Sequence, residues 1–258
     1  MIFVIDIGNT TCRFGLFEGN EIVSVWKLMT TQQKTSDELS ILITAWFMQN
    51  GFDIQKVKGV VISSVVPNVM HSFVNAIHKT FDMSPLIVRA GVKTGVFIQV
   101  DDPREVGADR IADVVAGYYL YGGPCLALDF GTATTYNLAS ADGIFSAAVT
   151  APGIQISADA LWSKAALLPH IEIKCPPSIL AKNTITSMQA GLVYGHVGQV
   201  EYIVNKMKEE AGCPDAKVIA TGGYAKIIQE LTKVIDVYDP LLTLKGMKII
   251  WDKNNARK

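Results

Sequence analysis

Phe3-Val4-Ile5-Asp6-Ile7-Gly8-Asn9-Thr10-Thr11 and Ala127-Leu128-Asp129-Phe130-Gly131-Thr132-Ala133-Thr134-Thr135 are two versions of one pattern. In each, an apolar strand runs into Asp-apolar-Gly and then into small hydroxyl or amide residues, with Asp6 matching Asp129 and Gly8 matching Gly131. The strand residues fix the backbone, the Asp ends the strand as a charge, and the Gly lets a turn approach a ligand closely. Used twice, the pattern predicts two related halves facing one site, and its chemistry suits metal-bound phosphates.

The flanking sequence repeats with the motif. Strands are expected over Ile2–Asp6, Cys12–Phe17 and Glu21–Trp26, with Glu18-Gly19-Asn20 as a hairpin turn. They recur as Leu126–Asp129, Thr134–Leu138 and Ile144–Val149, with a turn at Ala141-Asp142-Gly143. Thr35-Ser36-Asp37-Glu38 reads as a capping box opening a helix to Phe47. Val60–Val65 reads as a buried strand, followed by a helix to about Phe81 and a short strand at Leu86–Val88. Further helices are expected from Val106 to Tyr119, over Ile154–Ala166 and Ser187–Glu209, and from about Leu241, with a strand at Lys217–Ala220. The alternation of strands and helices predicts an α/β fold of two lobes, residues 1–115 and 116–258, each a mixed sheet flanked by helices.

Composition narrows the class. With 49% hydrophobic and 18% charged residues, the 258-residue chain reads as well buried and globular. A formal net charge of -1 leaves no electrostatic footprint for nucleic acid or an anionic membrane. Cys12, Cys125, Cys175 and Cys213 form no metal-binding spacing, so free thiols and a cytoplasmic setting are expected. Neither a signal peptide nor a membrane span is legible. Another phosphate device is lacking, because Gly91-Val92-Lys93-Thr94-Gly95 has Val where a P-loop needs Gly before its Lys-Thr pair. His71, His78, His170 and His196 show no paired spacing.

Two such turns, one on each lobe, resemble the actin-like ATPase (ribonuclease H-like) fold of acetate and sugar kinases and heat-shock chaperones. In that resemblance the nucleotide lies between the lobes. Backbone N–H groups of Gly8-Asn9-Thr10 and Gly131-Thr132 can donate to phosphate oxygens, and Asp6 can hold Mg²⁺ directly or through water. Phosphoryl transfer needs chiefly this positioning and charge neutralisation.

Asp102-Pro103-Arg104-Glu105-Val106-Gly107-Ala108-Asp109-Arg110, with both Asp motifs, Ala151-Pro152-Gly153, Asn183-Thr184 and Thr221-Gly222-Gly223, closely resembles type III pantothenate kinase over almost the whole chain. The resemblance implies ATP-dependent phosphorylation of pantothenate to 4′-phosphopantothenate, the first step of coenzyme A synthesis, by a homodimer that requires K⁺ or NH₄⁺. Carried onto this sequence, it makes Asp109 the general base and places ATP on Asp6, Ile7, Gly8, Asn9, Thr10, Thr11, Cys12, Arg13 and Thr132. It places pantothenate on Gly107, Ala108, Asp109, Arg110 and Thr184, and metal ions on Asp6 (Mg²⁺) and Asp129 (the monovalent cation).

Plainer readings stand beside these. Asp109 can cap its helix, Arg110 can be a surface ion-pair partner, Asn183-Thr184 can cap the helix that follows, and Thr221-Gly222-Gly223 can be a strand-to-helix turn. Two positions depart from the family: Ala147-Ala148 stands where many relatives carry a Gly pair, and Val100 lies near where some carry an aromatic substrate contact. The rival functions are a kinase of another small hydroxy compound and a non-catalytic nucleotide-binding regulatory protein of the same fold.

Overall fold

The computed structural model describes residues 1–255. The chain divides into two compact units, both assembled from separated segments. The first contains Met1–Gly95, Asp101–Ala116 and the segment from Thr243 onward; the second contains Val96–Val100 and Gly117–Leu242.

In the first unit, β1 (Ile2–Ile7), β2 (Thr11–Glu18) and β3 (Glu21–Met29) form an antiparallel run. Then β4 (Gly59–Ser64) pairs parallel to β1, and β5 (Leu86–Ile87) pairs parallel to β4. The sheet order is β3-β2-β1-β4-β5. Because side chains alternate across a strand, Phe3, Ile5, Ile7, Phe14 and Leu16 share one face. They bury it against Leu39, Ile43 and Phe47 of α1 (Ser36–Gln49) and Phe73 and Ile77 of α2 (Met70–Phe81). The α1 capping box forms as expected: Thr35 Oγ1 accepts from the Glu38 N–H at 3.2 Å and Glu38 accepts from the Thr35 N–H at 2.7 Å. On the other face lies α7 (Leu242–Asn255), with Leu244 against Gly15 and Trp251 against Gly59. That packing assigns the end of the described chain to the first unit.

The second unit repeats the plan. β7 (Cys125–Phe130), β8 (Ala133–Ala139) and β9 (Ile144–Pro152) are antiparallel, and β10 (Lys217–Gly222) and β11 (Val237–Tyr238) extend the sheet in parallel from β7. The order β11-β10-β7-β8-β9 reproduces the first sheet, with β6 (Phe97–Ile98) added beside β9. Leu126, Leu128, Phe130, Tyr136 and Val218 pack against Val197, Val200 and Val204 of α5 (Thr184–Glu210) and Ile228 of α6 (Ala225–Gln229). Ala158 of α4 (Ile154–Lys164) packs on Leu192 and Val193 of α5.

Two helix starts differ from expectation. The helix predicted from Val106 is α3 (Ala108–Tyr121), because Pro103–Glu105 makes its own short turn, in which the Asp102 carboxylate accepts from the Arg104 N–H at 2.9 Å. The helix predicted from Ser187 begins at Thr184, capped by Asn183, whose Oδ1 accepts from the Thr186 N–H at 2.9 Å. No helix among the described residues is long and apolar enough to cross a membrane.

Candidate active site

Asp6 is the penultimate residue of β1 and only 3% exposed. Its register neighbours are Arg13 on β2 and Ser63 on β4, and Arg13 Nη2 lies 3.4 Å from Asp6 Oδ2. Burial pushes the Asp6 carboxyl above its ordinary value, the Arg13 guanidinium pulls it back, and the charge of Asp109 raises it again. A buried carboxylate whose ionisation is opposed by burial and by the charge of Asp109 is a place where added positive charge is favourable.

The turn after β1 closes through the Gly8 N–H, which donates to Thr11 O at 3.1 Å. Asn9 and Thr10 are exposed, whereas Ile7 and Cys12 are buried in the core behind the turn. Of the Asp6–Arg13 segment, therefore, Ile7 and Cys12 face away from solvent and can serve a ligand only through their backbone.

Asp109 lies in the first turn of α3. Its Oδ1 accepts from the Arg110 N–H at 2.8 Å, which orients the carboxylate; Oδ2 has no hydrogen bond among the described residues. Gly107 makes room for this arrangement, since a Cβ there would stand 2.5 Å from Asp109 Oδ1. The Gly-Ala-Asp-Arg spacing thus has a steric reason: Gly107 clears the carboxylate, buried Ala108 anchors the helix start, and Asp109 and Arg110 remain half-buried.

In the second unit Asp129 occupies the position on β7 that Asp6 occupies on β1, but its register neighbours are Thr135 and Thr221. Where Asp6 has a guanidinium beside it, Asp129 has hydroxyl residues. Gly222, at φ +97°, lies against the carboxylate: a Cβ there would stand 2.5 Å from Asp129 Oδ1 and 2.6 Å from the Phe130 N. Thr221-Gly222 is therefore the end of β10 packed on Asp129, and the turn proper begins at Gly223. Thr132 is exposed, and its carbonyl accepts from the Gly153 N–H at 3.2 Å. Ala147 and Ala148 are exposed on β9, and Val100 is half-buried.

Thr184 is exposed as the first residue of α5 and lines a cavity of about 380 Å³ with Leu168, Lys182, Ser187 and Met188. A neighbouring cavity of about 530 Å³, lined by Pro152, Leu161, Leu192 and His196, contains none of the expected ligand-contacting residues, only Pro152 of the Ala151-Pro152-Gly153 motif. Sequence reading also missed Ser63, which lies beside Asp6 in register. The only signal was the pair of hydroxyl residues Ser63-Ser64 inside the otherwise apolar run Val60–Val65.

Comparison with known proteins gives the family and the fold. The profile of the type III pantothenate kinase family matches residues 2–206. The type III pantothenate kinase of Agathobacter rectalis is 51% identical over 257 residues, covering 100% of this chain and 99% of that protein. A Campylobacter jejuni structure provisionally described as a Baf family transcriptional activator aligns with a TM-score of 0.61 at 17% identity, over 99% of this chain and 100% of the other. A Sinorhizobium meliloti structure provisionally described as a 2-dehydro-3-deoxygalactonokinase aligns with a TM-score of 0.60 at 8% identity, over 100% and 98%. At such identities the structures speak for the fold alone, which is that of the actin-like ATPases and sugar kinases. The full-length sequence match carries the rest: the chain belongs to the type III pantothenate kinase family.

Proposed function

We propose a division of labour for the reaction of this kinase, the ATP-dependent phosphorylation of pantothenate to 4′-phosphopantothenate that opens coenzyme A biosynthesis. The observation that carries it is the clearance of Asp109 by Gly107, with the charge of Asp109 among the influences that raise the Asp6 carboxyl. Asp109 Oδ2 orients the pantothenate hydroxyl and takes its proton. An ordinary carboxylate is a weak base for an alcohol, so proton removal comes late in transfer. Arg110 offers a planar cation to the pantothenate carboxylate or to a phosphate. Gly107, Ala108 and Thr184 complete the substrate contacts.

In the first unit the backbone of Gly8, Asn9, Thr10 and Thr11, with Arg13 behind it, holds ATP phosphate oxygens; in the second, Thr132 does so. The carboxylate of Asp6, with Ser63 beside it in register, fits Mg²⁺, and the burial that disfavours its charge is what a divalent cation offsets. When bound, Mg²⁺ supplies neutralisation of phosphate charge. Asp129, with Thr135 and Thr221 in register, is an oxygen donor set suited to K⁺ or NH₄⁺.

The chain acts as a cytoplasmic homodimer. Ile156, Leu161, Leu167, Ile185 and Tyr202 are exposed on and around α4 and α5, and a second copy is the occupant that would bury them. Light scattering should give twice the chain mass, and Tyr202→Glu should shift the mass towards a single chain; a wild-type monomer at micromolar concentration removes the dimer from the scheme.

The test of the chemistry is phosphopantothenate formation from ATP with and without K⁺. Asp109→Asn should lower kcat by about 10²- to 10⁴-fold while ATP binding persists. Near-wild-type turnover by that variant would exclude Asp109 as the base.

A further inference from the structure

The exposed turn after β1 is held from behind by the residue that follows β3. The Thr30 N–H donates to Thr10 O at 2.9 Å, and Thr30 Oγ1 donates to Gly8 O at 2.7 Å. A hydroxyl has one hydrogen, so the 3.3 Å contact between Cys12 Sγ and Thr30 Oγ1 runs from the thiol to the hydroxyl. Burial holds the Cys12 thiol above its ordinary pKa, which keeps that donor protonated. Cys12, Thr30 and Gly8 thus form a directed chain ending on a turn carbonyl.

A trans peptide is planar, and its C=O and the following N–H point in opposite directions. Drawing Gly8 O towards Thr30 turns the Asn9 N–H the other way, and drawing Thr10 O towards Thr30 does the same for the Thr11 N–H. The Gly8 N–H is already committed to Thr11 O, so Asn9 and Thr11 supply donors whose direction Thr30 sets. We infer that Thr30 is a positioning residue for the phosphate-binding turn, fixing two peptide planes so that their N–H groups face ATP. Thr30 does not itself contact the nucleotide. The inference rests on the reading that this turn holds ATP phosphates.

The experiment compares dissociation constants of MgATP and adenosine, and the KM values for ATP and pantothenate, for wild type, Thr30→Val and Thr30→Ser. Loss of one oriented hydrogen bond should weaken ATP binding and raise its KM by roughly fivefold. Adenosine affinity and the KM for pantothenate should stay unchanged, and Thr30→Ser, which keeps the hydroxyl, should restore ATP binding. A wild-type ratio of ATP to adenosine affinity in Thr30→Val overturns the inference. Wild type binding ATP no more tightly than adenosine would instead remove the phosphate reading beneath it. Amide exchange on the wild type needs no variant to fold: Asn9 and Thr11 should gain protection when MgATP is added. Preference for ATP over adenosine without that protection also overturns the role of Thr30.

Discussion

At Asp109 the chemistry depends on a neighbour with no side chain. Gly107 is required because a Cβ would stand 2.5 Å from Asp109 Oδ1, and the nearest relief is rotation of the carboxylate away from its bond to the Arg110 N–H. Gly107→Ala is therefore expected to leave the fold intact and lower kcat by about an order of magnitude or more, since small misplacements of a reacting group cost rate steeply. Steady-state kinetics beside a thermal melt would separate the two effects. Asp6 and Asp129 stood out in the sequence because Asp-apolar-Gly at a strand end occurs twice, whereas Asp109 was singled out only through the family resemblance. Ser63 and Thr30 did not stand out. Their relevance comes from register and from a hydrogen bond spanning 22 positions, neither of which leaves a local trace.

Among the elements, hairpins and caps followed from short-range rules. The Thr35-to-Glu38 box formed where its spacing predicted, because its partners are three residues apart and need only one helical turn to meet. Element ends were less legible. The short turn at Pro103–Glu105 delays α3, and Asn183 starts α5 a turn early. The end of β10 is where packing matters most: Gly222 lies at φ +97° with Asp129 Oδ1 and the Phe130 backbone within Cβ-clash distance. Gly222→Ala should lower unfolding free energy by about 2 kcal/mol or more, combining left-handed strain with displacement of β7. A urea titration would measure it, and a shift under ~0.5 kcal/mol would mean that the strand end yields more easily than its packing indicates.

Over the whole molecule, two sheets share one strand order, with Asp6 and Asp129 at equivalent registers and β6 as the addition. A fully buried thiol also affects stability at alkaline pH. Burial raises the Cys125 thiol from 9.0 to about 12. The unfolded chain therefore releases this proton first. Its contribution is fully present below pH 9.0 and is lost as pH rises towards about 12. The urea midpoint should fall across that window, Cys125→Ala should flatten the fall, and a thiol reagent at neutral pH should label exposed Cys175 but neither Cys12 nor Cys125. The repeat, the α/β class and the family were legible from short motifs and their order along the chain, because strand alternation, Asp-apolar-Gly turns and the Gly-Ala-Asp-Arg segment each act over a few positions. Long-range packing settled which unit each segment joins: Phe97–Ile98 goes to the second sheet by pairing with β9, and α7 goes to the first by covering Gly15 and Gly59. It also placed Arg13 beside Asp6 and threonines beside Asp129. Such pairings depend on which strands become neighbours, and that outcome belongs to burial of the whole sheet rather than to any stretch of chain.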